Sequence, residues 1–490
     1  MRNYRQRLQL EWMSSRRSSA LGLFLVSVLT VNSTLRQSSR ITHRDVFRFQ
    51  RAGRAYSNVT PEKPTVASCF VRNGTTGLRE LGDAYLLSRG SSHLGTLRAL
   101  KFSLKRALRR GELRIGVAGG SVSVGGGCYE DPEKMWFNNV QREVSNKLQD
   151  IGLNVTVTTL NIAQGATGPE RMFFCGKELL HGVELDIIFL EYAINESGGT
   201  FSELLLRQAS KQSAVMFVET FSSRDEREGF KSAQKEHDVL AKYYDVPIVS
   251  ARDAFRDAFR RDIDVLNRYF SADGHHPSCC GHSALGGLAA AVISIGIDAL
   301  QTQFDDDALT SLYSEETLPA FLDLANAKLP RYMLERAPDC MLAASRLMDF
   351  SKSSWPTGSA KKPTFDCTSP KDGNFSVNIN CDTAQFQDGE HFCQVILFYT
   401  RSWQPMGDAV VYVNDEISPS VHLHAYAQNW RNAGYQWTIQ QMTSAYEESL
   451  RVGPGASTLN VQCTGTTQAP DKMESSFNRT LFQFHGLVVV

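Results

Sequence analysis

Ser121 ends the stretch "RIGVAGGS" (114–121), where a short apolar run breaks into Gly119 and Gly120. A serine hydroxyl is a weak nucleophile until a neighbouring base takes its proton. A base of the right kind stands in "DGHHPSCCGH" (273–282), where Asp273 precedes His276 by three residues. That spacing lets the carboxylate bond one ring nitrogen and fix the tautomer, leaving the other nitrogen free to accept a hydroxyl proton. His275 is the next-best base, but it adjoins the turn residue Gly274 and lacks the i+3 relation. Two further stretches offer donors to a developing oxyanion. Asn195 ends the apolar run "LEYAIN" (190–195), and its side-chain amide can donate there. "NIAQGATG" (161–168) passes from a strand-like run into a glycine loop, where the N–H of Gly165 or of Ala166 can do the same.

Taken in chain order, the four stretches resemble the blocks of the SGNH hydrolase superfamily, often called GDSL-type esterases. The resemblance covers about residues 111–300 and leaves the C-terminal part unexplained. It implies Ser121 as nucleophile, His276 as base and Asp273 as its orienting partner. The oxyanion hole would comprise the N–H of Ser121, a loop N–H at Gly165 or Ala166, and the Asn195 amide; by spacing from Asn161, Ala166 holds the usual donor place. The chain departs from the family pattern twice. Gly-Asp-Ser appears as Gly119-Gly120-Ser121, and Gly-x-Asn-Asp appears as Ala193-Ile194-Asn195-Glu196. Neither removes a group the chemistry needs. The implied reaction is acyl-ester hydrolysis through an acyl-enzyme, and nothing in the sequence requires a metal or organic cofactor.

Such residues have to be carried by a scaffold, and the pattern from about 111 supplies one. Apolar runs at 113–118, 154–161, 185–193, 213–220 and 246–250 alternate with helix-like segments at 136–148, 170–180, 201–209, 229–245 and 281–300. The run 185–193 is almost continuously apolar, as for a strand buried on both faces. This alternation predicts an α/β fold, a three-layer α/β/α sandwich around a five-stranded parallel sheet, with ligands at the carboxyl ends of the strands. Asp131-Pro132 reads as the N-cap and first residue of the helix over 136–148. The apolar segment 281–300 is too interrupted by glycine to read as a membrane span. Residues 301–350 read as a helical extension and 351–364 as a linker. From 365 to 490, short runs rich in Val, Tyr, Phe and Thr predict an all-β, sandwich-like domain stapled by Cys367, Cys381, Cys393 and Cys463.

The rest of the chain bounds the setting. Across 490 residues the formal net charge is zero, which gives no electrostatic basis for a nucleic-acid partner. Arg2, Arg5, Arg7, Arg16 and Arg17 precede the uncharged stretch 20–31, so residues 1–35 read as a basic segment with a signal peptide or signal-anchor. Residues 36–110 read as a stem and lead-in. The chain is therefore expected in the secretory pathway, either secreted or as a single-pass type II membrane protein. Sequons at Asn32, Asn58, Asn73, Asn154, Asn374 and Asn478 fit that route, whereas the apolar run before Asn195 argues against glycan transfer at its sequon. Ten cysteines without a Cys-x-x-Cys pair favour disulfides over zinc. The expected substrate is an O-acyl, above all O-acetyl, ester on carbohydrate. Trp403 and Trp430 are candidate sugar-stacking residues. Transfer of the acyl group to a sugar hydroxyl, or glycan binding without catalysis, remain the alternative readings.

Overall fold

The computed structural model describes residues 82–301, apart from 92, 181, 197–198 and 224–231, together with segments of the C-terminal region at 339–342, 365–367, 374–381, 393–401, 407–414, 416–424, 441–466 and 482–489. The expected N-terminal signal segment, the sequons at Asn32, Asn58, Asn73 and Asn478, and both Trp403 and Trp430 lie outside the described residues.

Five strands, β1 (Glu112–Gly119), β2 (Thr156–Asn161), β3 (Ile187–Glu191), β4 (Ala214–Glu219) and β5 (Ile248–Ser250), form one sheet in the order β2-β1-β3-β4-β5. Every neighbouring pair is parallel. Successive side chains of a strand face opposite ways, so a sheet covered on both faces buries both sets. Ile187 and Phe189 enter one apolar cluster and Ile188 and Leu190 the other. The first cluster is completed by α1 (Gly82–Gly90), α2 (Arg98–Arg110), α4 (Trp136–Asp150), α8 (Ala251–Arg261), α9 (Ile263–Tyr269) and α10 (Cys279–Gln301). The second is completed by α5 (Pro169–Leu180), α6 (Thr200–Ala209) and α7 (Gln234–Tyr244). A single-turn helix, α3 (Ser121–Val124), follows β1 directly. The sheet is the expected five-stranded one, sandwiched between helical layers.

Several local expectations are corrected. Asp131 does not cap α4: Pro132–Lys134 form a separate 3-10 turn, Asp131 pairs with Lys134 at 2.7 Å, and the α-helix begins at Trp136. Helices α1 and α2 lie upstream of the expected start at 111, yet Leu86, Leu100, Leu104 and Ala107 are buried in the same cluster as β1. Helix α10 agrees with its reading: it is long and apolar enough to cross a membrane, but Leu285, Leu288, Ala289 and Ile293 are buried in that cluster, so it is a core helix.

Beyond it, β6 (Asp339–Leu342) is a strand within the segment expected to be helical. It is held by antiparallel pairing with β14 (Phe482–Val489), a partner too distant along the chain to be anticipated. The remaining strands are β7 (Phe365–Cys367), β8 (Asn374–Cys381), β9 (Cys393–Arg401), β10 (Asp408–Val413), β11 (Glu416–His424), β12 (Gln441–Val452) and β13 (Gly455–Cys463). They build two antiparallel sheets, β11-β10-β13-β8 and β12-β9-β14-β6, with β7 pairing β14. Cys367–Cys463 joins β7 to β13 and Cys381–Cys393 joins β8 to β9, so each disulfide links one sheet to the other.

Candidate active site

The sheet order places a topological switch between β1 and β3, whose carboxyl ends diverge to opposite sides and leave a crevice. Ser121 follows β1 at that crevice. Its turn is clamped from below by Glu191, the last residue of β3. The Gly120 N–H donates to the Glu191 carbonyl at 3.2 Å, and the N–H and hydroxyl of Ser123 donate to the Glu191 carboxylate at 3.3 and 3.0 Å. Thr220 donates to the other carboxylate oxygen at 2.7 Å. Burial pushes this carboxyl up to about 7, against the donors that favour its charge. Ser123 is fully buried and also accepts from the Trp136 indole at 3.3 Å, so it is a structural hydroxyl.

The loop after α9 carries the base. Asp273 Oδ1 accepts from the Ser271 hydroxyl at 2.8 Å and from the N–H groups of His275 and His276 at 2.7 and 2.9 Å. Its Oδ2 accepts from His276 Nδ1 at 2.5 Å. Burial would raise the Asp273 carboxyl, but the His276 ring and the two backbone donors outweigh it and hold it far below the usual carboxylate range. The ring's other nitrogen, Nε2, accepts from the Ser121 hydroxyl at 2.7 Å. A continuous chain of hydrogen bonds therefore runs Ser121–His276–Asp273. His275 turns elsewhere: its Nδ1 meets the Ser222 hydroxyl at 3.1 Å, and Ser223 N–H holds the Gly274 carbonyl at 3.0 Å.

The glycine run after the nucleophile has a specific reason. A Cβ on Gly126 would lie 2.4 Å from His276 Cδ2 and 2.8 Å from the Ser121 carbonyl oxygen. Bare backbone there is what lets the imidazole reach Ser121. Two links pin this loop to α10: the Cys128–Cys279 disulfide, and His282, whose Nε2–H donates to the Gly126 carbonyl at 2.9 Å. The Nδ1 of His282 accepts from Trp136 N–H at 3.3 Å, and burial pushes the ring down to about 4, so it serves as a neutral strut. We expect Gly126→Ala to displace the His276 ring and lower kcat for an activated ester by about 10²-fold, since an ångström-scale misplacement costs that much. Steady-state kinetics on the folded variant check this.

Asn195 follows β3, and its amide packs on Gly120: a Cβ at 120 would fall 2.3 Å from Asn195 Oδ1. Glycine in place of a larger residue before Ser121 is thus what admits this amide. The loop after β2 is tied to the same turn, with Asn161 Nδ2 donating to the Ser123 carbonyl at 2.8 Å and Gln164 N–H to the Gly119 carbonyl at 3.0 Å. Gly165 and Ala166 sit in this loop, and Ala166 takes a left-handed φ of 57°, a conformation that costs a non-glycine residue about 1–2 kcal/mol. Of the sequons within the described residues, Asn154 is exposed and Asn374 opens β8. Residues that sequence reasoning passed over are Glu191, Gly126, His282 and a buried His237–Glu196 pair.

No family model and no curated protein matches the chain. Among solved structures, it is similar to a two-domain esterase active on acetylated mannans, co-crystallized with mannopentaose, at 17% identity and a TM-score of 0.53 over 82% of this chain and 97% of that chain. A second structure of such a two-domain mannan esterase aligns at 18% identity, with the same TM-score and coverage. An acetyl xylan esterase from Geobacillus stearothermophilus aligns at 12% identity and a TM-score of 0.30, over 37% of this chain and 94% of that chain. The parallel sheet order, the crevice between β1 and β3, and the alignment over 82% of this chain lead to one statement: this chain has the SGNH hydrolase fold with an additional β-rich domain.

Proposed function

We propose that this protein is a serine carboxylic-ester hydrolase that removes acyl groups, chiefly acetyl, from carbohydrate. The observation that carries the proposal is the Ser121–His276–Asp273 chain, with contacts of 2.7 and 2.5 Å. In the reaction, His276 Nε2 takes the Ser121 proton as Oγ attacks the ester carbonyl. The resulting oxyanion receives hydrogen bonds from Ser121 N–H, the Asn195 amide and a loop N–H at Gly165 or Ala166. His276 then returns the proton to the leaving sugar oxygen as the C–O bond breaks, and the acyl group stays on Ser121. Water attacks this acyl-enzyme with His276 again as base, releasing acetate and regenerating the serine. Asp273 holds the tautomer throughout and steadies the imidazolium.

Carbohydrate as the acyl carrier is supported by the likeness to an esterase active on acetylated mannans, which shares the two-domain layout. It also accords with the secretory route and membrane or extracellular location proposed from the N-terminal sequence. The test is to incubate the purified protein with acetylated mannan, acetylated xylan and p-nitrophenyl esters, and to measure acetate. Acetate release from polysaccharide supports the reading. Release from p-nitrophenyl acetate alone rejects carbohydrate as the carrier.

A second reading, transfer of the acyl group to a sugar hydroxyl, draws on the arginine-rich segment before the apolar stretch 20–31, which fits a retained anchor. Adding an oligosaccharide acceptor separates the two, because transfer yields an acetylated acceptor in place of free acetate. Asn195→Ala is expected to lower kcat on p-nitrophenyl acetate by about 10²–10³-fold with little change in KM, as for loss of one oxyanion donor.

A further inference from the structure

Asn195 owes its place to its neighbours. Among the described residues its buried Oδ1 has no hydrogen-bond partner, and its N–H closes a local turn to the Tyr192 carbonyl at 2.8 Å. The next residue, Glu196, turns away from Ser121 into the space among β4, α6 and α7, where its side chain is 6% exposed. There it accepts from the Ser202 hydroxyl and N–H, the latter at 3.1 Å, near the start of α6. Its Oε2 also meets Nε2 of His237 on α7 at 3.0 Å. His237 is fully buried, stacks on Phe217 with ring centroids 4.7 Å apart, and meets Glu219 of β4 through Nδ1 at 2.8 Å.

A neutral imidazole carries a single N–H and would turn a lone pair toward one of the two carboxylates. Both contacts are attractive only if both ring nitrogens are protonated. Burial alone would push the ring down, but Glu219 and Glu196 together raise it to about 10. The start of α7, the helix that carries His237, holds the Asn195 loop a second way, as Ala233 N–H donates to the Ala193 carbonyl at 2.7 Å.

We propose that His237, bridging Glu196 to Glu219, is a positioning residue that holds Asn195 against the nucleophile turn. The proposal rests on the esterase reading above, in which Asn195 donates to the oxyanion. Among the described residues the hydrogen bonds of the His237 ring run to Glu196 and Glu219 rather than to Ser121 or His276, so its influence on chemistry has to pass through the loop.

A double-mutant cycle between His237→Gln and Asn195→Ala, read as kcat and KM on p-nitrophenyl acetate, tests it. We expect H237Q to lower kcat by about 10–100-fold at unchanged KM, from misplacement of the donor. In the N195A background the same substitution should change kcat by less than about twofold. Equal losses in both backgrounds overturn the proposal while leaving the oxyanion role of Asn195 intact. A folded H237Q protein with native kcat overturns it as well. An unchanged kcat in N195A alone removes Asn195 from the reaction and the proposal with it. Should H237Q fail to fold, Glu196→Gln, which keeps the size and an acceptor for Ser202, carries the same cycle with the same expected non-additivity.

Discussion

Ser121→Ala is expected to lower kcat for ester hydrolysis by about 10⁶-fold while the protein stays folded and still binds acetylated oligosaccharide. The size follows from what the hydroxyl does. Without it no covalent intermediate forms, and His276 is left facing solvent or substrate with no proton to accept at 2.7 Å. In a serine hydrolase whose triad acts as a unit, loss of the nucleophile alone costs about this factor, and loss of the base as well costs little more. His276→Ala should therefore give a similar loss, and the Ser121→Ala/His276→Ala double variant should sit close to either single one. Additive losses would mean that the two residues act separately. Thermal unfolding should hardly move in Ser121→Ala, because the side chain removed is small and half-buried. The backbone bonds of its turn, Gly126 N–H to the Ser121 carbonyl at 2.8 Å among them, survive the change.

Asp273→Asn is the second large effect, about 10⁴-fold in kcat. An asparagine at 273 keeps an oxygen for the Ser271 hydroxyl and for the N–H groups of His275 and His276, so the loop keeps its shape. What changes is the group facing His276 Nδ1. An amide NH₂ there donates instead of accepting, so Nδ1 must present its lone pair and the ring proton moves to Nε2. Nε2–H then points at Ser121 Oγ and can no longer take its proton. The charge that steadied the imidazolium is lost in the same step.

The substitution also has a stability signature. The folded Asp273 carboxyl is held below its ordinary value of 3.8, so the unfolded chain binds that proton more tightly. Its contribution is present above pH 3.8 and is lost as the pH falls. The variant should lose less stability than the native chain on acidification below about pH 4, a difference that thermal unfolding at stepped pH reads directly.

How much of this was legible in the sequence divides along a physical line. Contacts set by short-range periodicity could be read. The alternation of apolar runs with amphipathic segments leads to the parallel sheet, because a strand covered on both faces has no polar side to hide. The i+3 spacing of Asp273 and His276 is likewise a local matter, and the structure places these side chains 2.5 Å apart.

Signals that were present but overlooked explain the missed helices. Ser250 accepts from Asp253 N–H to cap α8, and Asp262 accepts from Asp264 N–H to cap α9, both ordinary N-cap residues. Asp131-Pro132 misled in the opposite sense. The pair starts a short 3-10 turn, and α4 waits until Trp136, whose indole is drawn to Ser123.

The remaining features depend on partners far along the chain. Gly126 reads as one more loop glycine until His276 arrives beside it. His237 sits in "QKEHDVLAKYY" (234–244), which reads as helix without showing which way the ring faces, and the contacts with Phe217 and Glu219 of β4 and with Glu196 bury it. Glu191 looks like an end to an apolar strand, with no local hint that Ser123 and Thr220 will close on it. The pairing of Cys128 with Cys279, 151 residues away, is of the same kind. In the β-rich domain, β12 escaped notice because "SAYEES" (444–449) is polar, and the ladder with β9 shifts register between Ala445 and Ser449.

Ser121 is the expected nucleophile and His276 the group that activates it. Treating the protein with a fluorophosphonate, digesting it and locating the adduct by mass spectrometry tests that most directly. The adduct should lie on Ser121, form more slowly in His276→Ala, and be absent from Ser121→Ala. An adduct on another residue, or ester hydrolysis that continues undiminished in Ser121→Ala, would contradict it.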